Sequence, residues 1–273
     1  MNHNISLRKL FAFLKRDFLI NASYKSAFLF DFITIFSSVI TFFFIARLFG
    51  EKAAAYLANY GGDYFSFVLI GIAFSGYMSA AMGSFTSAIS EEQSYGTLEA
   101  IILSPTTIST VLICSSLWKF IFTSFRVIVY LILGWLFFGL DLSKVNLPAS
   151  LIILLLTVIS FSGLGILSAS CVLIFKRADP VNWLFGGISR FLSGVYFPIA
   201  ILPVWLQKIS YIIPLTYALE AMRKSLILGS PLKEVAPQIL SLFLFSAIFF
   251  PLSILSFKFA LKRAKKNGSL LYC

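Results

Sequence analysis

Ionisable side chains that could do chemistry are few, because only 12% of the 273 residues are Asp, Glu, Lys or Arg. Proteolysis inside a membrane by an aspartyl pair needs two facing carboxylates, and Asp31 is the single carboxylate within a predicted span. His3 is the only histidine, and the three cysteines are too scattered to hold a metal ion. We therefore expect this chain not to be an enzyme, with no catalytic residues and no metal or cofactor of its own.

Missing motifs and the distribution of charge exclude further classes of function. The sequence has no Gly-x-x-x-x-Gly-Lys-[Ser/Thr] loop, so ATP binding by this chain is not expected. His-Glu-x-x-His and Gly-x-Ser-x-Gly are also missing, which removes the commoner metalloproteases and serine hydrolases. The net charge of +11 comes mainly from the termini and short connections. Lys and Arg in such positions are typical of the charge bias that sets the orientation of a membrane protein. They do not indicate a nucleic-acid partner.

Arg190 lies inside an apolar stretch, ten residues after Pro180. A helix that starts at this proline carries the arginine about 15 Å inward, near the middle of a core about 30 Å thick. A charge at that depth faces the protein interior, a water-filled path or an acidic partner. Glu220 is the first candidate partner and Asp31 the second, so Arg190 and Glu220 are candidates for a translocation path. Alternatively, the helix begins later and Arg190 extends to the inner headgroups.

Residues 90–105 form the most polar interior segment. Glu91, Glu92 and Glu99 lie in it without a nearby Lys or Arg. Glu92 and Glu99 are seven residues apart, so they share one face of a helix. This acidic, amphipathic composition favours docking to a basic partner over a plain solvated loop.

Composition predicts an all-α membrane protein, since 59% of the residues are hydrophobic and a soluble domain carries roughly 25% charge. Apolar runs of about 20 residues predict six transmembrane helices. Their predicted ranges are about 27–49, 64–87, 120–140, 149–175, 181–200 and 236–257. Residues 106–118 are apolar but too short to cross, and they are predicted to extend the third helix. Small residues in the second span predict close helix packing.

Two further segments are predicted at the membrane surfaces. Residues 5–24 show a basic and an apolar face, which predicts an interfacial helix; an ordinary basic flank of the first span is the alternative. Pro198, Pro203 and Pro214 disfavour a straight span over residues 196–228, because proline lacks the backbone N–H. We therefore predict short helices over 196–228 that dip into the outer leaflet as a re-entrant segment before the last span.

Residues 1–273 are predicted to form a single transmembrane domain. It divides into an interfacial helix (1–26), a six-span bundle (27–257) and a basic tail (258–273). The bias of Lys and Arg predicts that both termini lie in the cytoplasm. We expect the chain in the cytoplasmic (inner) membrane, surrounded by lipid.

The run Glu91-Glu-Gln-Ser-Tyr-Gly-Thr-Leu-Glu-Ala-Ile-Ile-Leu-Ser-Pro105 resembles the signature of the type-2 ATP-binding cassette exporter permeases, in which Gly-Thr-Leu-Glu is followed by Ser-Pro after the second span. The matching residues are Glu92, Gly96, Thr97, Leu98, Glu99, Ser104 and Pro105. The run 197–217 resembles the family's outer re-entrant segment, and 175–180 resembles its inner break after the fourth span.

The resemblance implies a membrane subunit that exports a substrate across the inner membrane. Two six-helix subunits pair, as a homodimer or a heterodimer, with the homodimer expected. Each binds a cytosolic ATPase chain through a coupling helix after span two, which places Glu91 and the seven matching residues at the ATPase contact. ATP and Mg are then bound by that partner. The implied substrate is a drug or small amphiphile, or a lipid-linked polysaccharide.

Two rival functions remain open at this point. A secondary, ion-driven transporter usually has matching halves with broken helices at corresponding positions, and the broken region here has no counterpart in the first half. A membrane scaffold without transport activity is the other rival. An ATPase gene beside the gene for this chain would separate these alternatives.

Overall fold

The structure is a computed structural model that describes residues 7–94, 108–175 and 180–266. Every regular element in these ranges is a helix, which confirms the all-α prediction. The longer helices are α1 (Leu7–Ser23), α2 (Lys25–Ala54), α3 (Tyr64–Ser94), α4 (Ile108–Phe138), α5 (Leu147–Phe175), α8 (Pro214–Ile227) and α9 (Ala236–Lys266). Between α5 and α8 lie α6 (180–192), which is π-helical over Trp183–Ile188, and α7 (Val204–Ser210). Short 3₁₀ segments occupy Ala55–Tyr60 and Ile199–Ile201.

Among the described residues, five helices are long and apolar enough to cross a membrane, namely α2, α3, α4, α5 and α9. Each has at least 29 residues. At 1.5 Å per residue they exceed 40 Å, more than the core of about 30 Å. These helices confirm the predicted spans 1 to 4 and the last one as membrane-length helices, and they give the chain the architecture of a polytopic membrane protein.

Two of these helices extend beyond the predicted spans. The apolar run 106–118 was expected to extend the third helix, and α4 indeed continues from Ile108 to Phe138 without a break. At the other end of the chain, α9 continues through Lys258, Lys262 and Arg263 to Lys266. The first basic residues of the predicted tail therefore lie on the final turns of the last helix.

The predicted span 181–200 is not one helix. α6 begins at Pro180 as expected but ends at residue 192, and its 13 residues cover only about 20 Å. The chain then turns at Gly194, whose φ of 77° belongs to the left-handed region that glycine adopts without strain. The prolines do break the segment that follows, because α7 starts directly after Pro203 and Pro214 is the first residue of α8.

The helix α3 forms the centre of the fold. In its apolar window 78% of the residues are buried, compared with 11% in α2 and 17% in α9. Glycine permits the closest approaches around it: a Cβ on Gly165 of α5 would lie 2.4 Å from the carbonyl oxygen of Ala81 on α3. On the α9 side, a Cβ on Gly163 would lie 3.1 Å from the backbone of Phe249. The helix α5 is therefore packed backbone to backbone between α3 and α9.

Hydroxyl groups connect these helices across their interfaces. Ser160 on α5 donates to the Leu242 carbonyl of α9 at 2.9 Å. Tyr77 on α3 donates to Ser124 Oγ on α4 at 2.8 Å. In an apolar environment no water is present as a hydrogen-bond partner, so these bonds satisfy the polar groups. They also fix the rotation of each helix about its axis.

The predicted N-terminal helix is present as α1, separated from α2 at Tyr24. It lies beside α4, where the rings of Phe18 and Trp118 meet edge to face with centroids 5.9 Å apart. The segment is therefore a helix with its own packing partner and not merely an extension of the first span.

Candidate functional site

Arg190 lies against the middle of the central helix. Its Nη2 donates a hydrogen bond to Ser79 Oγ at 2.5 Å. Ser79 is the midpoint of α3, so it lies about 22 Å from either end of that helix. Further along the chain, Tyr64 OH at the start of α3 donates to the Tyr196 carbonyl at 3.1 Å. The segment that follows α6 therefore reaches the N-terminal end of α3, which α6 alone is too short to do.

Arg223 on α8 holds the turn that follows α6. Its side chain is 3% exposed. From Nη2 it donates to the carbonyls of Gly194 at 2.8 Å and Val195 at 3.2 Å. Its Nε donates to the Phe67 carbonyl of α3 at 3.0 Å, and the guanidinium carbon lies 3.4 Å from the centroid of the Phe67 ring. Backbone groups outside helices need such donors when water is excluded, so Arg223 stabilises the broken segment.

Gly71 makes room for this arrangement on α3. A Cβ at this position would lie 2.3 Å from the Val195 carbonyl oxygen and 2.6 Å from Nη2 of Arg223. Any side chain here would push the turn or the guanidinium away. The small residues of the second span, expected to allow close packing, therefore also admit the turn.

Asp31 on α2 pairs with Arg126 on α4. Its Oδ1 lies 3.6 Å from Nη2 of Arg126, and both side chains are more than a third exposed. Asp31 was the second candidate partner of Arg190, and this prediction is wrong. The reason is that α4 brings its own arginine to the carboxylate, while Arg190 bonds to Ser79 on α3.

A cavity of about 570 Å³ lies between α2, α3, α4 and α6. Three cations line it: Lys119 and Arg126 from α4, and Arg190 from α6. None of the lining residues in the described ranges is acidic. Hydroxyl and aromatic groups make up much of the remaining wall, among them Ser38, Ser75, Thr123, Phe42, Trp118 and Tyr196.

Both arginines that line this cavity have a hydrogen-bond donor without an acceptor in the described residues. The Nε atoms of Arg126 and Arg190 are buried, and neither has a hydrogen-bond partner within the part of the chain that the structure describes. Lys119 donates from Nζ to Ser87 Oγ at 2.5 Å. A buried donor without an acceptor costs about 1–3 kcal/mol, and more when it is charged. The cavity is therefore suited to an acceptor that carries negative charge.

A second cavity, of about 840 Å³ and more open to the surface, adjoins the first. It is lined by Gly83, Asn182 and Gly186, and it shares Ser79 and Arg190 with the first cavity. The two cavities therefore follow one another along α3, and the Arg190–Ser79 hydrogen bond lies where they meet.

Glu220 on α8 has other partners than Arg190. Its Oε1 accepts hydrogen bonds from Lys224 Nζ and from Gln238 Nε2 of α9, each at 2.9 Å. The prediction that Glu220 pairs with Arg190 is therefore wrong. The physical reason is depth, because Glu220 lies with Arg223 near the N-terminal end of α3 while Arg190 lies at its middle.

The predicted coupling segment is described only at its beginning. Glu91 and Glu92 lie in the final turn of α3, which ends at Ser94. The other residues assigned to ATPase contact fall outside the described residues: Gly96, Thr97, Leu98, Glu99, Ser104 and Pro105. Their role in coupling stays a prediction.

Three functional candidates were missed from the sequence. Lys119 and Arg126 are seven residues apart on one face of α4, at the border of the predicted third span and inside it. The criterion that singled out Arg190, a charge within an apolar stretch, would have found both. Arg223 lies in a stretch that also contains Lys208, Lys224 and Lys233, and only its packing reveals that it is buried.

Membrane-length helices around a central α3, with a cationic cavity beside its midpoint, define a polytopic membrane protein. The chain matches the ABC-2 type transporter family over residues 8–227, and it belongs to that family. A provisionally named transport permease, ycf38 of Cyanophora paradoxa, is 25% identical over 199 residues, which cover 70% of this chain and 67% of that protein. The chain is therefore the membrane subunit of a transporter.

Proposed function

We propose that this chain is the permease of an ATP-driven exporter, with the ATPase on a separate cytosolic chain. The cavity of about 570 Å³ that opens halfway along the membrane-length helices carries the proposal. Charged side chains at such depth are costly, and they mark substrate or ion pathways. The family supports the division of labour, because its membrane subunits work with an ABC ATPase partner.

The transport path runs along α3 through the two adjoining cavities. Arg190 and Ser79 belong to the lining of both, so the hydrogen bond between them separates the two spaces. Moving α6 relative to α3 would break this bond and join the cavities. Arg190 therefore acts on the path, while Glu220 lines neither cavity and connects α8 to α9.

The acidic end of α3 and the segment after it transmit the ATPase motion. Glu91 and Glu92 end the helix that forms the centre of the bundle, and Glu99 follows at helical spacing from Glu92. A push on this end is passed to α3 as a rigid body. The absence of nearby Lys or Arg in the sequence suits a basic docking surface on the ATPase.

The subunit acts as a homodimer in the inner membrane, with both termini in the cytoplasm. The helix α2 offers an exposed apolar surface for lipid or for a second copy of the chain, since Phe30 and Phe44 are 66% and 60% exposed. The five membrane-length helices, together with one crossing by α6 and the turn that follows it, give six crossings. An even number leaves both termini on the same side of the membrane. The substrate is a drug or small amphiphile, or a lipid-linked polysaccharide.

The test uses the full chain co-expressed with its ABC ATPase partner. The variant Glu92→Lys with Glu99→Lys should lose co-purification with the ATPase and ATP-dependent uptake by inverted membrane vesicles, measured with one fluorescent probe of each candidate substrate class. Asp141→Lys with Glu234→Lys, which makes the same charge change at two exposed positions elsewhere, is the matched control and should behave as wild type.

Two outcomes would contradict the proposal. Unchanged co-purification and uptake in the Glu92/Glu99 variant would remove the coupling role. Uptake that persists without the ATPase and stops when an ionophore is added would indicate an ion-driven transporter instead.

A further inference from the structure

The first cavity carries an excess of positive charge that the protein does not balance. Asp31 is the only carboxylate within the five described membrane-length spans and α6, and it is already paired with Arg126. Lys119, Arg126 and Arg190 therefore share one counter-charge. A second copy of the chain would add one more Asp31 and three more cations, so pairing of two subunits leaves the excess per subunit unchanged.

We infer that this cavity binds an oxyanion, a phosphate or carboxylate, carried by an amphiphilic substrate. The inference rests on the proposed export function and narrows its substrate class. Both guanidinium groups keep a buried Nε donor without a protein acceptor in the described ranges. A guanidinium group presents its donors as a planar fork that matches the oxygens of carboxylate and phosphate.

The cations approach the cavity from two sides. Lys119 and Arg126 project from one face of α4, and Arg190 projects from α6 against Ser79. An anion between them contacts donors from both α4 and α6, and the proposed movement of α6 relative to α3 would displace the donor of Arg190. Binding and release of the substrate would thus be linked to the position of α6.

The shape of the cavity fits a headgroup with the start of a tail. Its volume of about 570 Å³ lies within the roughly 300–1,000 Å³ of small-molecule sites, which is too small for a polymer. Aromatic side chains of Phe42, Trp118 and Tyr196 line it beside the cations. An apolar chain can pack on these rings while its anionic end meets the arginines. Cationic amphiphiles are repelled by the same residues.

The binding test uses the purified full chain in a neutral detergent without any ATPase. The probe is dodecyl phosphate, and dodecyltrimethylammonium has the same tail with opposite charge. Isothermal titration should show the phosphate probe binding at least roughly tenfold more tightly, because charge-assisted hydrogen bonds are the strong ones. Equal binding of the two probes overturns the inference.

Variants assign the site to named residues. Arg126→Gln and Arg190→Gln should each weaken dodecyl phosphate binding roughly tenfold. Arg190→Lys keeps the charge and loses the planar set of donors. Its affinity for dodecyl phosphate should lie between those of wild type and Arg190→Gln. Lys208→Gln removes an exposed cation outside the cavity and should leave binding unchanged. Wild-type binding by both Gln variants, with size-exclusion profiles like wild type, overturns the assignment.

Bilayer nanodiscs separate a transported anion from a resident lipid. Binding of dodecyl phosphate that is the same in phosphatidylcholine discs and in discs containing phosphatidylglycerol supports a transported amphiphile. Loss of binding in the phosphatidylglycerol discs assigns the cavity to a surrounding lipid headgroup and overturns the substrate claim.

The binding result and the export result can fail separately. Binding to the isolated chain without ATP-driven uptake in vesicles would overturn the proposed function and leave the oxyanion site standing. ATP-driven uptake of a neutral or cationic probe that dodecyl phosphate does not inhibit would overturn the site and leave the export function standing.

Discussion

Arg190 on α6 and Ser79 on α3 are joined by a hydrogen bond of 2.5 Å at the midpoint of the central helix. The bond lies where two cavities meet, and it connects the short helix α6 to the central helix α3, which has the largest buried share among the five membrane-length helices. Arg190 is therefore the side chain whose replacement tests the contact between α6 and α3, the proposed transport path and the positive charge of the first cavity.

Replacing Arg190 should impair transport and leave the amount of protein in the membrane normal. We expect Arg190→Gln to fall below roughly a tenth of wild-type ATP-dependent uptake, because the variant loses both the charge and the fork of donors. Arg190→Lys should be reduced less, since an ammonium group keeps the charge. Uptake per amount of protein in inverted vesicles is the measurement. Near-normal uptake by Arg190→Gln would show that Arg190 does not act on the transport path. Near-normal uptake by Arg190→Lys, with loss in Arg190→Gln, would indicate that the side chain extends to the lipid headgroups.

Removing Arg223 should destabilise the fold. Arg223→Leu leaves the carbonyls of Phe67, Gly194 and Val195 without this donor, at a cost of about 1–3 kcal/mol for each group left unsatisfied. We expect a clear fall in the temperature at which the monodisperse peak is lost in fluorescence-detected size-exclusion chromatography. Lys224→Gln, at the next position and half-buried, is the control and should change stability by less than about 1 kcal/mol. A Leu variant as stable as wild type would show that the turn does not depend on this arginine.

Closing the gap between α3 and α5 should also lower stability. Gly165→Ala places a Cβ 2.4 Å from the Ala81 carbonyl oxygen, so the two helices must move apart. Gly83→Ala on α3 meets nothing within 4 Å and should be neutral or slightly stabilising, because Ala favours a helix by about 1 kcal/mol. The same thermal measurement compares the two. Equal stability of both variants would contradict the close approach.

Thiol labelling tests the orientation of the chain. In a background without Cys114, Cys171 and Cys273, single cysteines at Asn59 and Lys144 should react with an impermeant maleimide in intact cells, since both positions are exposed in connections that we place outside. Glycine 62, at the same connection, is less suitable because its φ of 77° strains a side chain.

Cysteines at Ser94 and Lys266 are the matching inner positions. They should react only after the cells are opened, because both end helices on the side that we assign to the cytoplasm. Labelling of position 94 in intact cells would reverse the topology.

The sequence alone determined the helical elements that depend on local composition. Long apolar runs set the five membrane-length helices, and prolines set the starts of α6, α7 and α8, because hydropathy and the missing backbone N–H act where they occur. The acidic signature after the second span also led to the ABC-2 type transporter family, which the match over residues 8–227 confirms.

Only the tertiary structure decided which charges meet. Asp31 pairs with Arg126, Glu220 with Lys224, and Arg190 bonds to Ser79, and none of these pairings follows from spacing along the chain except the turn of helix between 220 and 224. Helix rotation and depth depend on how Gly71 and Gly165 let backbones approach, which is a property of two segments at once. The burial of Arg223 depends in the same way on carbonyls supplied by α3 and by a distant turn.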